Sequence, residues 1–82
     1  KACALGQAAA AVLGHAVLGS TRPQLELAAT QLEAMLKSDA PAPDAPFSGF
    51  ETLLPARDFK NRHASILLAV QSAAEAARQA EA

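Results

Sequence analysis

The chain has 82 residues, with seven Lys and Arg against eight Asp and Glu and a net charge of -1, which limits it to one small domain or domain fragment. It has no basic excess for sequence-independent nucleic-acid binding, no apolar run near the roughly 20 residues of a membrane span, and one cysteine, so no internal disulfide. Of its hydrophobic residues 22 are Ala, beside 11 Leu, three Val, three Phe, one Ile and one Met, so large core-forming side chains are scarce. These features, with no signal-peptide layout at the first residues, give the expectation of a soluble cytoplasmic protein.

In chain order, Leu5, Ala8 or Ala9, Val12, Ala16 and Val17 recur at helical spacing, with Leu13 widening the stripe, and predict a first helix over about Ala4 to Leu18. Gly6 and Gly14 let another backbone approach that helix closely. Gly19 supplies a stop, and Thr21 with Gln24 has capping-box spacing for a second helix, with Pro23 tolerated in its first turn. The second helix carries Leu25, Ala28, Leu32, Met35 and Leu36 on one face, opposite Gln24, Gln31 and Lys37.

Ser38 to Pro46 reads as a loop, because Pro41, Pro43 and Pro46 remove donors and bias the preceding residues away from helix. Phe47 to Leu54 reads as one short helical turn that drops two phenyl rings onto the core and ends at Pro55. The final helix is predicted from near Asp58, with Phe59, His63, Ile66, Val70, Ala73 and Ala77 as its buried face. Leu67 and Leu68 fall beyond that stripe, which implies a second apolar side covered by another copy or by something outside these residues. With no Trp or Tyr and little β-branched content, no segment reads as a strand. The fold class expected is mainly α, three principal helices and a short helical turn, with a core of Leu5, Val12, Leu13, Leu25, Ala28, Leu32, Met35, Phe50, Phe59, Ile66 and Val70. Such a small core predicts marginal stability and self-association.

Two places could carry chemistry. Cys3 lies beside the start of the first helix, where unpaired N–H groups and the helix dipole favour a thiolate; the competing reading is a small buried hydrophobe. Phe59 to Ala69 gathers Lys60, Arg62 and His63 at a helix start, where a metal or anion site could be built. His63 sits on the apolar stripe and reads as a hydrogen-bonded core residue ahead of a ligand, Lys60 and Arg62 as solvated charges, and His15 as a residue without an obvious partner. Ser65 lies in no nucleophile elbow, and phosphate loops, paired cysteines and zinc-type histidine spacing are absent, so no enzyme is expected.

The segment Ala2-Cys3-Ala4-Leu5-Gly6-Gln7-Ala8-Ala9-Ala10 resembles the second-cysteine motif of NifU-type and IscU/SufU-type iron-sulfur cluster scaffolds, roughly G-C-A-I-S-x-A-S-A. Phe59-Lys60-Asn61-Arg62-His63-Ala64-Ser65-Ile66-Leu67-Leu68-Ala69 is similar to their third motif, F-P-x-R-x-K-C-A-T-L-A. Ser20-Thr21 is similar to the G-K-T that opens the family's next helix, and the Pro-rich loop resembles the longer insertion of the SufU branch. The resemblance spans essentially the whole chain and implies the helical part of an α+β SufE/NifU-like fold without its N-terminal sheet.

What the resemblance implies is a scaffold that receives sulfur from a cysteine desulfurase, combines it with iron and passes the cluster to acceptor apoproteins. Its cargo would be an iron-sulfur cluster, or zinc in its place, or nothing held by this chain alone. Cys3 would be the metal-ligating or sulfur-accepting second cysteine, with His63 a further candidate ligand. Aligning Phe59, Arg62 and Leu68-Ala69 places Ser65 at the third cysteine; aligning His63 with the histidine that precedes this cysteine in IscU-type members places Ala64 there. Either residue lacks the soft thiolate. The rival reading is therefore a degenerate member that serves as a helical interaction module without a cluster.

Overall fold

A computed structural model describes the backbone of residues 2–81 and the side chains of residues 4–81. The elements are α1 (Ala2–Ala16), α2 (Arg22–Lys37), a 3-10 segment (Ser48–Asp58), a 3-10 turn (Lys60–Arg62) and α3 (His63–Glu81), with no strand among the described residues. The mainly helical class follows, as three principal helices and a connecting helical segment. No helix among the described residues is long and apolar enough to cross a membrane.

Local chemistry sets the helix ends. Gly19 adopts φ 83°, a conformation that costs glycine little, and lets the Ser20 amide return to the Val17 carbonyl at 3.0 Å after α1. Thr21 then forms the capping box: its hydroxyl accepts from the Gln24 amide at 3.3 Å, while the Gln24 side chain accepts from the Thr21 amide at 2.8 Å. The loop after α2 is held by Gln31, whose side-chain amide both donates to the Asp44 carboxylate and accepts from the Asp44 backbone, each at 3.1 Å.

The helices form one layer with α3 between the other two, packed along both. Arg22 at the start of α2 reaches Glu81 at the end of α3, at 2.8 Å, and Leu36 shares a cleft with His63, so α2 and α3 are antiparallel. Gly6 lies beside Ser65, so α1 runs parallel to α3. The 3-10 segment lies across α1 and α2 and closes the core with Phe50, Leu53 and Ala56. Phe47 and Phe50 are both buried, their rings stacked at 6.4 Å, as the two-phenyl expectation required. A methyl group on Gly49 would come within 3.2 Å of Val12 Cγ1, which shows how closely this segment approaches α1.

Four expectations need correction. Pro55 does not end the connecting helix; the 3-10 segment continues through it to Asp58. Proline's fixed φ suits 3-10 geometry, and only its missing donor is lost. Phe59 is not a core residue but 56% exposed, and α3 starts at His63 rather than near Asp58. The cause is the Phe59 backbone, at φ -105° and ψ 72°, which breaks the helical phase so that positions 59 and 63 no longer share a face. Finally, Leu5, Val12 and Leu13 are only half-buried, and Ala9 is the residue of α1 that is fully enclosed. On α3 the second apolar side divides: Leu67 joins the core, whereas Leu68 is 64% exposed.

Candidate functional site

Cys3 belongs to the first turn of α1, one turn ahead of Gly6, and its side chain lies outside the described residues. Gly6 is where that helix meets α3. A methyl group in place of its hydrogen would sit 3.5 Å from the Ser65 carbonyl oxygen and 4.0 Å from the Ser65 Cβ, ordinary contact distances. The second turn of α1, the one after Cys3, therefore lies against the first turn of α3, so the two motif segments approach each other. Ser65 is half-buried at this junction, while Ala64 faces outward and is exposed.

His63 is committed to structure. It is 5% exposed, and its Nε2 lies 3.2 Å from the Ala56 carbonyl oxygen and 3.1 Å from that of Arg57. Carbonyls only accept, so the network assigns a proton to Nε2. The imidazole thus ties the end of the 3-10 segment to the start of α3. Its role as a metal ligand through Nε2 is incompatible with this arrangement. His15, at the end of α1, is exposed.

Arg57 is the residue the sequence reading missed. Its Nε donates to the Met35 carbonyl at 2.7 Å and its Nη2 to the Ala40 carbonyl at 3.2 Å, satisfying acceptors at and just beyond the end of α2. Nothing around Pro55-Ala56-Arg57 marks this in the sequence, because the partner carbonyls lie 22 and 17 residues away. Beside Arg57 opens a cleft of about 630 Å3, bounded by Leu36, Lys37, Asp58, Lys60 and His63.

Among the described residues no group of three or more His, Cys, Asp or Glu side chains could hold a metal ion. Lys60 and Arg62 flank the turn ahead of α3, and neither points to a described acidic partner within ion-pair distance. The sequence brought forward Cys3, His63, Ser65 and Ala64. The structure brings Ser65 to the turn that follows Cys3, sets His63 into the core and turns Ala64 outward. Comparison with family models, with curated proteins and with solved structures found no match to this chain.

Proposed function

We propose that this chain is the helical part of a NifU/IscU-type scaffold, acting in the cytoplasm in iron-sulfur cluster assembly as a carrier rather than as an enzyme. The observation that carries the reading is the contact between Gly6 and Ser65, which joins the two segments that resemble the family's second and third cysteine motifs. In this reading Cys3 accepts sulfur from a cysteine desulfurase, and the cluster is cargo passed to acceptor apoproteins.

The described residues do not by themselves fit a cluster. Ser65 and Ala64 offer no thiolate, and His63 is held by two carbonyls, so soft ligands in addition to Cys3 must come from elsewhere. That same observation favours a second reading, a degenerate member that keeps the helical surface for partner binding and has given up cluster chemistry.

Sulfur transfer separates the two. Incubation with a cysteine desulfurase and radiolabelled cysteine is expected to label the chain, with the label removed by thiol reductant and absent in Cys3→Ala. An unlabelled wild-type chain would sink the carrier reading and leave the interaction module. Anaerobic addition of ferrous iron and sulfide then asks whether a visible chromophore forms and depends on Cys3.

A further inference from the structure

Six cations lie among the residues with described side chains, and half of them are neutralised at short range. Arg22 pairs with Glu81 at 2.8 Å and Glu26 at 3.2 Å, Lys37 pairs with Glu33 at 3.1 Å, and Arg78 pairs with Glu75. Arg57 is occupied by backbone carbonyls and stands 3.7 Å from the fully exposed Asp39. Lys60 and Arg62 are different: among the described residues neither side chain has a hydrogen-bond or ion-pair partner.

Phe59 adjoins them. It is 56% exposed, whereas Phe47 and Phe50 are enclosed, so the one phenyl ring open to solvent adjoins the two uncompensated cations. This corner is tied down by hydrogen bonds. The Phe59 amide donates to the Ala56 carbonyl at 2.9 Å, the Arg62 amide to the Phe59 carbonyl at 2.8 Å, and His63 anchors both Ala56 and Arg57 from beneath. Asp58 is the one carboxylate among the four charged residues from Arg57 to Arg62, and the cleft alongside is lined also by Lys37 and Asp39.

We infer that the corner formed by Phe59, Lys60 and Arg62 is a docking surface for an acidic segment of a partner protein. Partner carboxylates meet Lys60 and Arg62, and an apolar side chain covers the Phe59 ring. The charge complementarity is local: the chain as a whole carries -1, so an acidic partner is disfavoured over the rest of the surface and guided to this corner. Exposed aromatic and arginine side chains together are the composition from which interface anchors are drawn. A nucleic-acid backbone fits less well, because its affinity comes from many cations tracking phosphates, and here Asp58 and Asp39 interrupt the set. The surface makes no use of Cys3, so the inference goes beyond sulfur or cluster carriage and is tested separately from it.

The test uses the whole chain and fluorescein-labelled peptides, Glu-Glu-Leu-Glu-Glu and its lysine counterpart Lys-Lys-Leu-Lys-Lys, followed by anisotropy at low ionic strength. The glutamate peptide is expected to bind, more weakly as salt is raised, and the lysine peptide not to bind. Lys60→Glu combined with Arg62→Glu should lose at least about tenfold in affinity, and Phe59→Ser several-fold. Phe59 and Lys60 are exposed and Arg62 is half-buried with no side-chain partner among the described residues, so circular dichroism should show an unchanged fold in each variant. Equal binding of both peptides, undiminished binding by the charge-reversed variant, or no binding by the wild type overturns the inference. So does displacement of the peptide by duplex DNA at equal charge concentration, which would assign the corner to nucleic acid.

Discussion

Arg57→Met removes two hydrogen bonds while keeping much of the aliphatic stem. The guanidinium now donates to the Met35 carbonyl at 2.7 Å and the Ala40 carbonyl at 3.2 Å, and a bond from a charged donor contributes about 1.5–3 kcal/mol net. About a third of the side chain is open to water, 32%, so solvent takes over part of each lost bond and each of the two counts about 1 kcal/mol, below that range. The expected loss is about 2 kcal/mol, against a total of roughly 4–12 kcal/mol for a domain of this length. In urea, with a slope near 1–1.5 kcal/mol/M, the midpoint should fall by about 1.3–2 M, and Tm by about 8–16 °C. Arg57→Lys should lie between wild type and Arg57→Met, because one ammonium cannot reach both carbonyls in the same geometry. Asp39→Asn, which removes only the exposed carboxylate 3.7 Å away, should leave the midpoint where it is. A loss below about 0.5 kcal/mol in Arg57→Met, or Arg57→Lys equal to wild type, would refute the assignment of Arg57 as the clamp on the end of α2.

Other substitutions test the remaining joints. Phe50→Ala removes a fully buried ring that stacks on Phe47 and should cost about 3–5 kcal/mol, enough to leave the chain partly unfolded at 25 °C by circular dichroism. Gly19→Ala places a Cβ at φ 83° and should cost about 1–2 kcal/mol in urea unfolding, although nothing lies within 4 Å to clash with it. The Glu75 carboxyl is held below its ordinary value first by the hydrogen bond from Arg78 and then by that from Gln79. Its contribution is therefore complete above the ordinary carboxylate range and is lost as pH falls through its lower folded value. Helicity near the end of α3, followed by residue-specific hydrogen exchange, should decline on that acid side in the wild type and lose this step in Glu75→Gln.

The periodic parts of the fold were legible. Leu25, Ala28, Leu32, Met35 and Leu36 were expected on one face of α2, and all five are buried. The capping pair Thr21 and Gln24 could be read because a cap is a local contact within one turn. Phe59 failed for a reason no periodicity contains: one residue outside helical geometry resets the phase of everything before it. Pro55 misled in a related way, since the rule that proline stops a helix is a rule about α-helices, and a 3-10 path tolerates the residue. Arg57 was invisible because its partners are backbone carbonyls, which every residue has. At the candidate site the ungapped register favours Ser65 over Ala64 at the third-cysteine position, but which of the two lies against α1 depends on the rotation of α3 about its axis, set by Ile66, Leu67 and Val70.

The position of α3 bears on how the chain folds as it leaves the ribosome. Helices α1 and α2 are made before α3, yet they touch each other little, and the surface each must bury is completed by the helix that follows them. Arg22 and its partner Glu81 are 59 residues apart, so the joint at that end of the layer forms after nearly all the intervening chain has emerged. A nascent chain that has released α1, α2 and the 3-10 segment but not α3 leaves the α3-facing sides of both helices open, a natural client for chaperones that bind exposed leucine. Once the chain has left the ribosome tunnel only as far as Arg62 it should be a protease-sensitive intermediate, and release through Glu81 should yield protection in a single step.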